Sequence, residues 1–295
     1  VLFRSELAIK VQYPGVKESI DADVDNVATL LRVSGMLPKS LDIAPLLDEA
    51  KKQLHEEADY LREAQMLARY GELLADQPQF VVPKLYPDLT TPRVLAMSFV
   101  TGVPVETLET APQDVRDRVM QDLISLVLRE LFDWRLMQTD PNFANYRWQP
   151  KTEKLVLLDF GAARPLPAET GEGYRRLLTA ALAGDRDAVR EAAIAAGFLG
   201  EAAVLQHRAL VDRMIDVILA ELAKPGPFDF GDRAFVGVLR EQGTEIARDR
   251  ETWHLPPIDT LFVQRKISGT ALLAARLKAR VDIRSMVAAY CAEPA

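Results

Sequence analysis

Asp140 and Asn145 are separated by four residues in a segment that cannot form a regular helix. Pro141 lacks a backbone N–H and biases Asp140 toward an extended conformation, so the segment is predicted to be a loop that displays its side chains. A carboxylate can orient or deprotonate an attacking hydroxyl group, and an amide oxygen can bind a hard cation such as Mg²⁺. The spacing therefore predicts a loop that presents a catalytic acid, Asp140, and a metal ligand, Asn145.

Two other segments supply the remaining groups of such a site. Lys10 lies in ELAIKVQY, which alternates apolar and polar residues as a half-buried strand does. Asp159 opens Asp159-Phe160-Gly161 at the end of the apolar run LVLL, where it can bind a metal. A lysine, then an acid with an amide five positions on, then Asp-Phe-Gly is the order found in protein-kinase-like phosphotransferases. The pattern predicts ATP as the ligand, Mg²⁺ as the cofactor and Lys10 as the residue that binds the phosphates.

Each of these signals has a plainer structural explanation when it is taken alone. Lys10 alone would be interpreted as a solvated strand lysine, and Asp140 and Asn145 as turn formers. A second Asp-Phe-Gly occurs at residues 229–231, after a segment rich in Pro and Gly rather than after an apolar strand. We interpret that second copy as a turn. Only the ordered combination of motifs favours a nucleotide site.

Composition excludes several other classes of protein. The chain has 295 residues, a formal net charge of −7, one cysteine and three histidines. The negative charge argues against a nucleic-acid partner, and the single cysteine rules out an internal disulfide. Three scattered histidines make a zinc site improbable. Neither a signal peptide nor an apolar run long enough to cross a bilayer is evident.

The periodicity predicts an α+β fold in two domains. Thr101 to Pro104 contains Gly and Pro and marks the expected boundary, with a small sheet-containing domain at 1–100 and a helical domain at 101–295 that holds the acid/amide loop and Asp-Phe-Gly. Further helices and strands follow from apolar spacing. We expect one long helix at 42–75, short strands within 79–83 and 93–100, a helix at 112–134, short strands near 146–148 and 155–158, and five or six helices after residue 169.

Several segments resemble one family, the UbiB/AarF-domain atypical kinases linked to ubiquinone biosynthesis. The matching segments run over nearly the whole chain, and VQYPGV and TDPNFAN are more distinctive than general kinase patterns. Gln138 and Thr139 stand where ordinary kinases have His-Arg, which is similar to the family branch with T-D-P-N. The segments are AIKVQYPGV, EEADYLREA, VLAMSFVTG, QTDPNFANY, LLDFGAAR and QRKISGTALLAARLKA.

The resemblance implies a bilobal protein-kinase-like fold and a role for each matching residue. The helical segment LHEEADYLREA offers Glu56, Glu57 and Glu63 as partners for Lys10. The resemblance implies Glu57, which would form the E-x-D motif with Asp59. The backbone of Met97, Ser98, Phe99 and Val100 would meet adenine, and Ala8 would leave room for the ring. Lys10 and Asp140 would be catalytic, and Asn145 and Asp159 would bind Mg²⁺.

The same resemblance implies a cytoplasmic ATPase or phosphotransferase that contacts the inner membrane face peripherally. Its partners would be ATP and a quinone-precursor lipid or a biosynthetic complex. The family's K-x-G-Q segment and alanine-rich loop do not precede Lys10 here, and the first five residues resemble a cloning scar. We therefore expect a fragment that binds nucleotide poorly, which a thermal shift with Mg²⁺ and ATP would test. Two alternatives remain: a pseudokinase-type binding module without turnover, and a small-molecule kinase.

Overall fold

The computed structural model describes residues 6–34 and 42–292, so the suspected scar lies outside the described residues. Two compact units are present: residues 6–34, 42–107 and 138–164 form the first, and residues 108–137 and 165–292 form the second. The expected boundary after residue 100 is therefore not where the structure divides. Segment 138–164 belongs to the first unit, because its strands pair with strands of that unit.

The chain contains both helices and short strands, largely in separate runs, in agreement with the predicted α+β class. The strands are β1 (Leu7–Val11), β2 (Phe80–Val81), β3 (Val94–Ser98), β4 (Val103–Pro104), β5 (Leu136–Gln138), β6 (Tyr146–Gln149), β7 (Lys154–Leu157), β8 (Ala163–Pro165), β9 (Phe228–Asp229) and β10 (Arg280–Val281). The α-helices are α1 (Val16–Ser34), α2 (Ala44–Glu57), α3 (Tyr60–Leu73), α4 (Gln113–Leu128), α5 (Ala168–Ala183), α6 (Arg186–Ala195), α7 (Glu201–Leu222), α8 (Ala234–Arg248), α9 (Ile258–Leu277) and α10 (Ile283–Cys291).

Two small sheets organise the first unit. Strands β1 and β3 form an antiparallel pair in which Lys10 lies opposite Leu95. The other sheet has the order β2-β7-β6-β4, with β2 and β7 parallel and the other neighbours antiparallel. On β1 the more apolar face is the exposed one, since Ile9 and Val11 are 49% and 62% exposed while Lys10 is half-buried. The lysine therefore points to the interior side of its sheet.

The long helix expected at 42–75 is interrupted, and that prediction is wrong. Helix α2 ends at Glu57 and α3 begins at Tyr60. Between them Asp59 has an extended backbone, and its side chain accepts hydrogen bonds from the backbone N–H groups of Leu61 and Arg62. Aspartate is a favoured N-cap because its carboxylate satisfies N–H groups that have no partner within the helix. The cap makes Asp59 the start of a new helix.

The second unit is mainly helical, as the sequence predicted for the C-terminal part of the chain. Helix α4 is followed by a π-helical turn, Arg129–Trp134, and six α-helices follow residue 165. Val127 and Leu131 pack with Tyr174 and Val263 in one buried cluster. In the described part of the chain, no helix combines the length and the apolar character that crossing a membrane requires.

Candidate functional site

Lys10 lies at the centre of a group of charged side chains within the first unit. Its ammonium nitrogen lies 2.8 Å and 3.0 Å from the two carboxylate oxygens of Glu63 and 3.4 Å from an oxygen of Asp159. The Tyr60 ring lies beneath the ammonium at 5.2 Å, a cation–π distance. Glu63 is 2% exposed, whereas Lys10 and Asp159 are each 36% exposed. The lysine is thus fixed from its buried side and remains open to a ligand on the other.

The partner of Lys10 is Glu63, and the expectation that it is Glu57 is wrong. Glu57 is the last residue of α2, where its carboxylate accepts a hydrogen bond from Gln53 at 2.8 Å. Glu63 lies in the first turn of α3, beyond the Asp59 cap. The break between the two helices therefore decides which glutamate reaches the strand lysine. The cofactor role implied for Glu57 and Asp59 stays a prediction.

A hydrogen bond also connects the end of the strand that carries Lys10 to the segment between α2 and α3. Gln12, the first residue after β1, donates a hydrogen bond of 2.8 Å to the backbone carbonyl of Ala58. Neither Gln12 nor Tyr60 was expected in the site, and Glu63 was one of the three candidate glutamates, although all three residues lie within the matching segments AIKVQYPGV and EEADYLREA.

Burial and the neighbouring charges shift the pKa values of Lys10 and Glu63. Burial lowers the pKa of Lys10, but the carboxylates of Asp159 and Glu63 raise it more, and the net pKa lies above the ordinary value. Burial and the charge of Asp159 together raise the pKa of Glu63, although Lys10 opposes that shift. A raised lysine pKa keeps the ammonium protonated at neutral pH, which is the form that binds phosphate.

The predicted loop is present and holds its acid and amide together. An amide N–H of Asn145 donates to an oxygen of Asp140 at 2.8 Å, and the other oxygen of Asp140 accepts from the Asn142 backbone N–H at 3.3 Å. Asn142 in turn caps the short 3-10 turn Phe143–Asn145. Since a carboxylate only accepts hydrogen bonds, the nitrogen of Asn145 must face Asp140 and its oxygen must face elsewhere.

The Asp159-Phe160-Gly161 segment forms a tight turn beside this loop. The Gly161 N–H donates to Asp159 at 2.9 Å, and the Leu158 N–H donates to the carbonyl of Asn145 at 3.0 Å. Phe160 is 2% exposed and packs against Tyr70 of α3 with ring centroids 4.7 Å apart. A Cβ at Gly161 would lie 3.4 Å from Glu63 and 3.4 Å from Asp159. The turn thus touches both Glu63 and the Asn145 backbone.

The segment expected to meet adenine lies at the end of β3. Ala8 pairs with Met97 in the β1–β3 register. The Ser98 N–H donates to the Lys84 carbonyl at 2.8 Å, and the Phe99 N–H donates to the Glu6 carbonyl at 2.9 Å. These two N–H groups are already used within the protein. A ring bound here would have to use backbone carbonyls or another N–H group.

The donor set fits a magnesium ion. Among the described residues no group of three or more His, Cys, Asp or Glu side chains is placed to hold a metal. Asp159 has a half-exposed carboxylate, and the hydrogen bond from Asn145 to Asp140 uses the amide nitrogen of Asn145 and not its oxygen. Oxygen ligands from one carboxylate and one amide suit Mg²⁺, which keeps several water or phosphate ligands.

The chain is similar in sequence to several known proteins. Residues 4–193 match the ABC1 atypical kinase-like domain. The chain is 38% identical to the atypical kinase COQ8B, mitochondrial, of Rattus norvegicus over 96% of the chain and 53% of that protein. It is 36% identical to the atypical kinase COQ8, mitochondrial, of Saccharomyces cerevisiae over 93% of the chain and 55% of that protein. The chain thus spans about half the length of these curated relatives.

A solved structure has the same fold. The complex of Rv3197 with erythromycin from Mycobacterium tuberculosis superposes with a TM-score of 0.73, covering 98% of this chain and 73% of that one. The two sequences are 22% identical, so the likeness concerns the fold alone. The fold of this chain is kinase-like.

Proposed function

Because the chain belongs to the ABC1 atypical kinase-like family, we propose that it is the core of a Mg²⁺- and ATP-dependent ATPase or phosphotransferase that supports ubiquinone biosynthesis. The observation that carries the proposal is the position of Lys10, held by Glu63 at 2.8 Å and also facing Asp159 at 3.4 Å. In kinases a strand lysine paired with a helix glutamate binds the nucleotide phosphates. The same pair is found here next to the expected metal ligand.

Each residue then has one task. Lys10, protonated and open on one side, binds phosphate oxygens. Asp140 orients the attacking hydroxyl or water and accepts its proton. Asn145 and Asp159 would hold Mg²⁺, which would neutralise charge on the transferred phosphoryl group.

The nucleotide base would lie against the β1–β3 pair. Ala8 leaves space beside Met97, and the backbone from Ser98 to Val100 supplies the polar groups. Since the Ser98 and Phe99 N–H groups are already bonded, we expect the adenine to use the Ser98 carbonyl and the Val100 N–H. Glu57 and Asp59 would act near the phosphates as the E-x-D motif.

The biological setting follows from the family and is proposed on that basis. We propose a quinone-precursor lipid or a biosynthetic complex as the partner, met at the inner membrane face by peripheral contact. The relatives from rat and yeast carry the description mitochondrial. A formal net charge of −7 gives no reason to expect a nucleic-acid partner.

The test is Asp159→Asn in the full-length protein, with Asp229→Asn as the matched control. We expect Asp159→Asn to lower ATP hydrolysis by about 100-fold, because one charged group at the phosphates is lost. Complementation of a ubiquinone-deficient strain should be lost as well. Asp229→Asn removes the same charge from the same tripeptide and should leave both measurements unchanged.

Two outcomes would overturn the proposal. Undiminished hydrolysis by Asp159→Asn would show that this site does not perform the reaction. Full complementation by a variant that does not hydrolyse ATP would instead favour the alternative of a pseudokinase-type binding module without turnover.

A further inference from the structure

Three consecutive backbone carbonyls, beginning with that of the glycine in Asp-Phe-Gly, accept hydrogen bonds from the side chains of Arg62 and Thr139. The Arg62 guanidinium donates to the carbonyl of Gly161 at 2.8 Å and to that of Ala163 at 2.5 Å. The carbonyl of Ala162, between them, accepts from the hydroxyl and the backbone N–H of Thr139 at 2.9 Å and 3.2 Å. We call this arrangement of Arg62, Thr139 and the three carbonyls the carbonyl clamp.

Arginine suits this task for a geometric reason. Its planar guanidinium presents several N–H donors in a fixed fork, so one side chain can bridge two carbonyls that are two residues apart. Lysine is a single point of charge and cannot hold both in the same way. The Arg62 guanidinium also lies 3.3 Å from a carboxylate oxygen of Glu56, and the side chain is 20% exposed. Its charge is therefore balanced where it is partly buried.

The position of Arg62 in the sequence connects the clamp to the lysine pair. Arg62 directly precedes Glu63 on α3, and its backbone N–H is held by the Asp59 cap at 3.2 Å. The same turn of helix thus carries the partner of Lys10 and the group that holds the chain after Asp159. A shift of α3 would move both together.

Thr139 makes the corresponding connection on the other side. It directly precedes Asp140 and is 2% exposed. Its hydrogen bonds to Ala162 fix the start of the acid/amide loop against the segment that follows Asp159. The clamp therefore joins three separate parts of the first unit: helix α3, the Asp140 loop and the Asp159 turn.

We infer that Arg62 and Thr139 are positioning residues that hold Asp159 in register with Glu63 and Asp140. Neither side chain is assigned a contact with ATP or magnesium. The catalytic part of this inference rests on the proposed function. The structural part, that the clamp orders residues 159–163, stands without it.

The experiment compares Arg62→Ala and Arg62→Lys with Arg69→Ala in the full-length protein. Arg69 is a matched control because it lies on the same helix and carries the same charge, but it is 53% exposed and pairs with Glu72 at 3.1 Å. Hydrogen exchange of the Gly161 and Ala163 amides is the first readout. We expect exchange to rise by about tenfold or more in Arg62→Ala, since local opening becomes easier, and to stay unchanged in Arg69→Ala.

Steady-state kinetics give the second readout. Misplacement of a reacting group by about 1 Å can lower turnover by about 100-fold. We expect Arg62→Ala to lower kcat by about 10- to 100-fold and to raise the Mg²⁺ concentration needed for half-maximal rate, with the KM for ATP within about threefold. Arg62→Lys should fall between Arg62→Ala and the wild type in both readouts.

Variants of Thr139 test the carbonyl clamp independently of Arg62. Thr139→Val keeps the side-chain shape and the backbone bond but loses the hydroxyl donor, whereas Thr139→Ser retains the hydroxyl. We expect about a fivefold rise in exchange for Thr139→Val, the effect of one hydrogen bond, and restoration by Thr139→Ser.

The outcomes separate this inference from the proposed function. A folded Arg62→Ala protein with unchanged exchange at Gly161 and Ala163 overturns the clamp, whatever its activity. A lysine variant equal to the wild type overturns the argument from the guanidinium fork. A wild-type protein without ATP turnover refutes the proposed function, while the exchange result still decides whether the clamp exists.

Discussion

The chain contains Asp-Phe-Gly twice, and the two copies form the same local turn in different units. In the first copy the Gly161 N–H donates to Asp159 at 2.9 Å, and in the second the Gly231 N–H donates to Asp229 at 2.8 Å. The two aspartate side chains are also similarly exposed, at 36% and 39%. The tripeptide, its internal hydrogen bond and the exposure of its aspartate therefore do not distinguish the two copies.

The surroundings of the two aspartates differ. Asp159 faces Lys10, which is itself fixed by the buried carboxylate of Glu63. Asp229 faces Arg280 of the neighbouring strand β10 at 3.2 Å, and that arginine is 59% exposed. The first aspartate belongs to a charged group supplied by three separate segments, whereas the second lies in a two-stranded antiparallel pair, opposite Arg280. The comparison teaches that the partners, rather than the tripeptide, identify the candidate site.

The strongest test of this comparison removes the cation that faces each aspartate. We expect Lys10→Met to lower ATP hydrolysis by about 1,000-fold, because the phosphates lose their cationic partner. Arg280→Ala, the equivalent change at the second copy, should leave hydrolysis within about twofold, since exposed ion pairs contribute little. Steady-state assays of both variants in the full-length protein provide the measurement. Equal losses in the two variants would contradict the comparison.

A second test concerns the phenylalanines. Phe160 is 2% exposed and contacts Tyr70, whereas Phe230 is only half-buried and contacts Phe228 at a centroid distance of 4.8 Å. We expect Phe160→Ala to lower the free energy of unfolding by about 3–4 kcal/mol and Phe230→Ala by about half as much. Urea denaturation measures both changes. A larger loss at Phe230 would reverse the order that burial predicts.

A third test removes the negative charge of Glu63, the ion-pair partner of Lys10. Glu63→Gln keeps the shape of the side chain but cannot form the ion pair, and we expect about a 10- to 30-fold fall in kcat/KM for ATP. The pKa of Lys10 should fall with it, because one of the two carboxylates that raise it is gone. Glu72→Gln on the same helix is the matched control, since Glu72 is 68% exposed and pairs with Arg69, which is exposed as well. Activity that matches the control would show that Glu63 is not needed.

The smallest effect is expected at Asp122, in the unit that holds the second copy. Burial raises the pKa of Asp122 from 3.8 to about 6, against the opposing charge of Arg118. Because the folded-state pKa is the higher one, the folded protein binds an extra proton between those values. This contribution to stability is therefore present at low pH and lost as pH rises toward 6.

We expect Asp122→Asn to increase the free energy of unfolding by about 1 kcal/mol at pH 7.5, after allowance for partial exposure. The increase should vanish near pH 4, where the wild-type group is protonated. Thermal melts at the two pH values measure this difference. ATP turnover should not change, so a loss of turnover would mean that a perturbed carboxylate outside the Lys10 group takes part in the reaction.

Much of the secondary structure could be predicted from the sequence because short-range patterns decide it. Alternation located β1, apolar spacing located α4 and the helices after residue 169, and Pro141 located the loop. The Asp140–Asn145 hydrogen bond also follows from proximity in sequence. The wrong prediction of one continuous helix at 42–75 has a local cause as well. The apolar spacing runs on through Asp59, although aspartate is a favoured N-cap and begins a new helix there.

By itself, the sequence determined which side chains could do chemistry and on which kinds of segment they lie, because residue type and spacing are local properties. Only the tertiary structure decided that Glu63 rather than Glu57 meets Lys10, that Asp159 reaches the same lysine, and that Arg62 and Thr139 hold the carbonyls of residues 161–163. Those contacts join residues 23 to 149 positions apart. Their formation depends on how strands and helices pack, which no short stretch of sequence specifies.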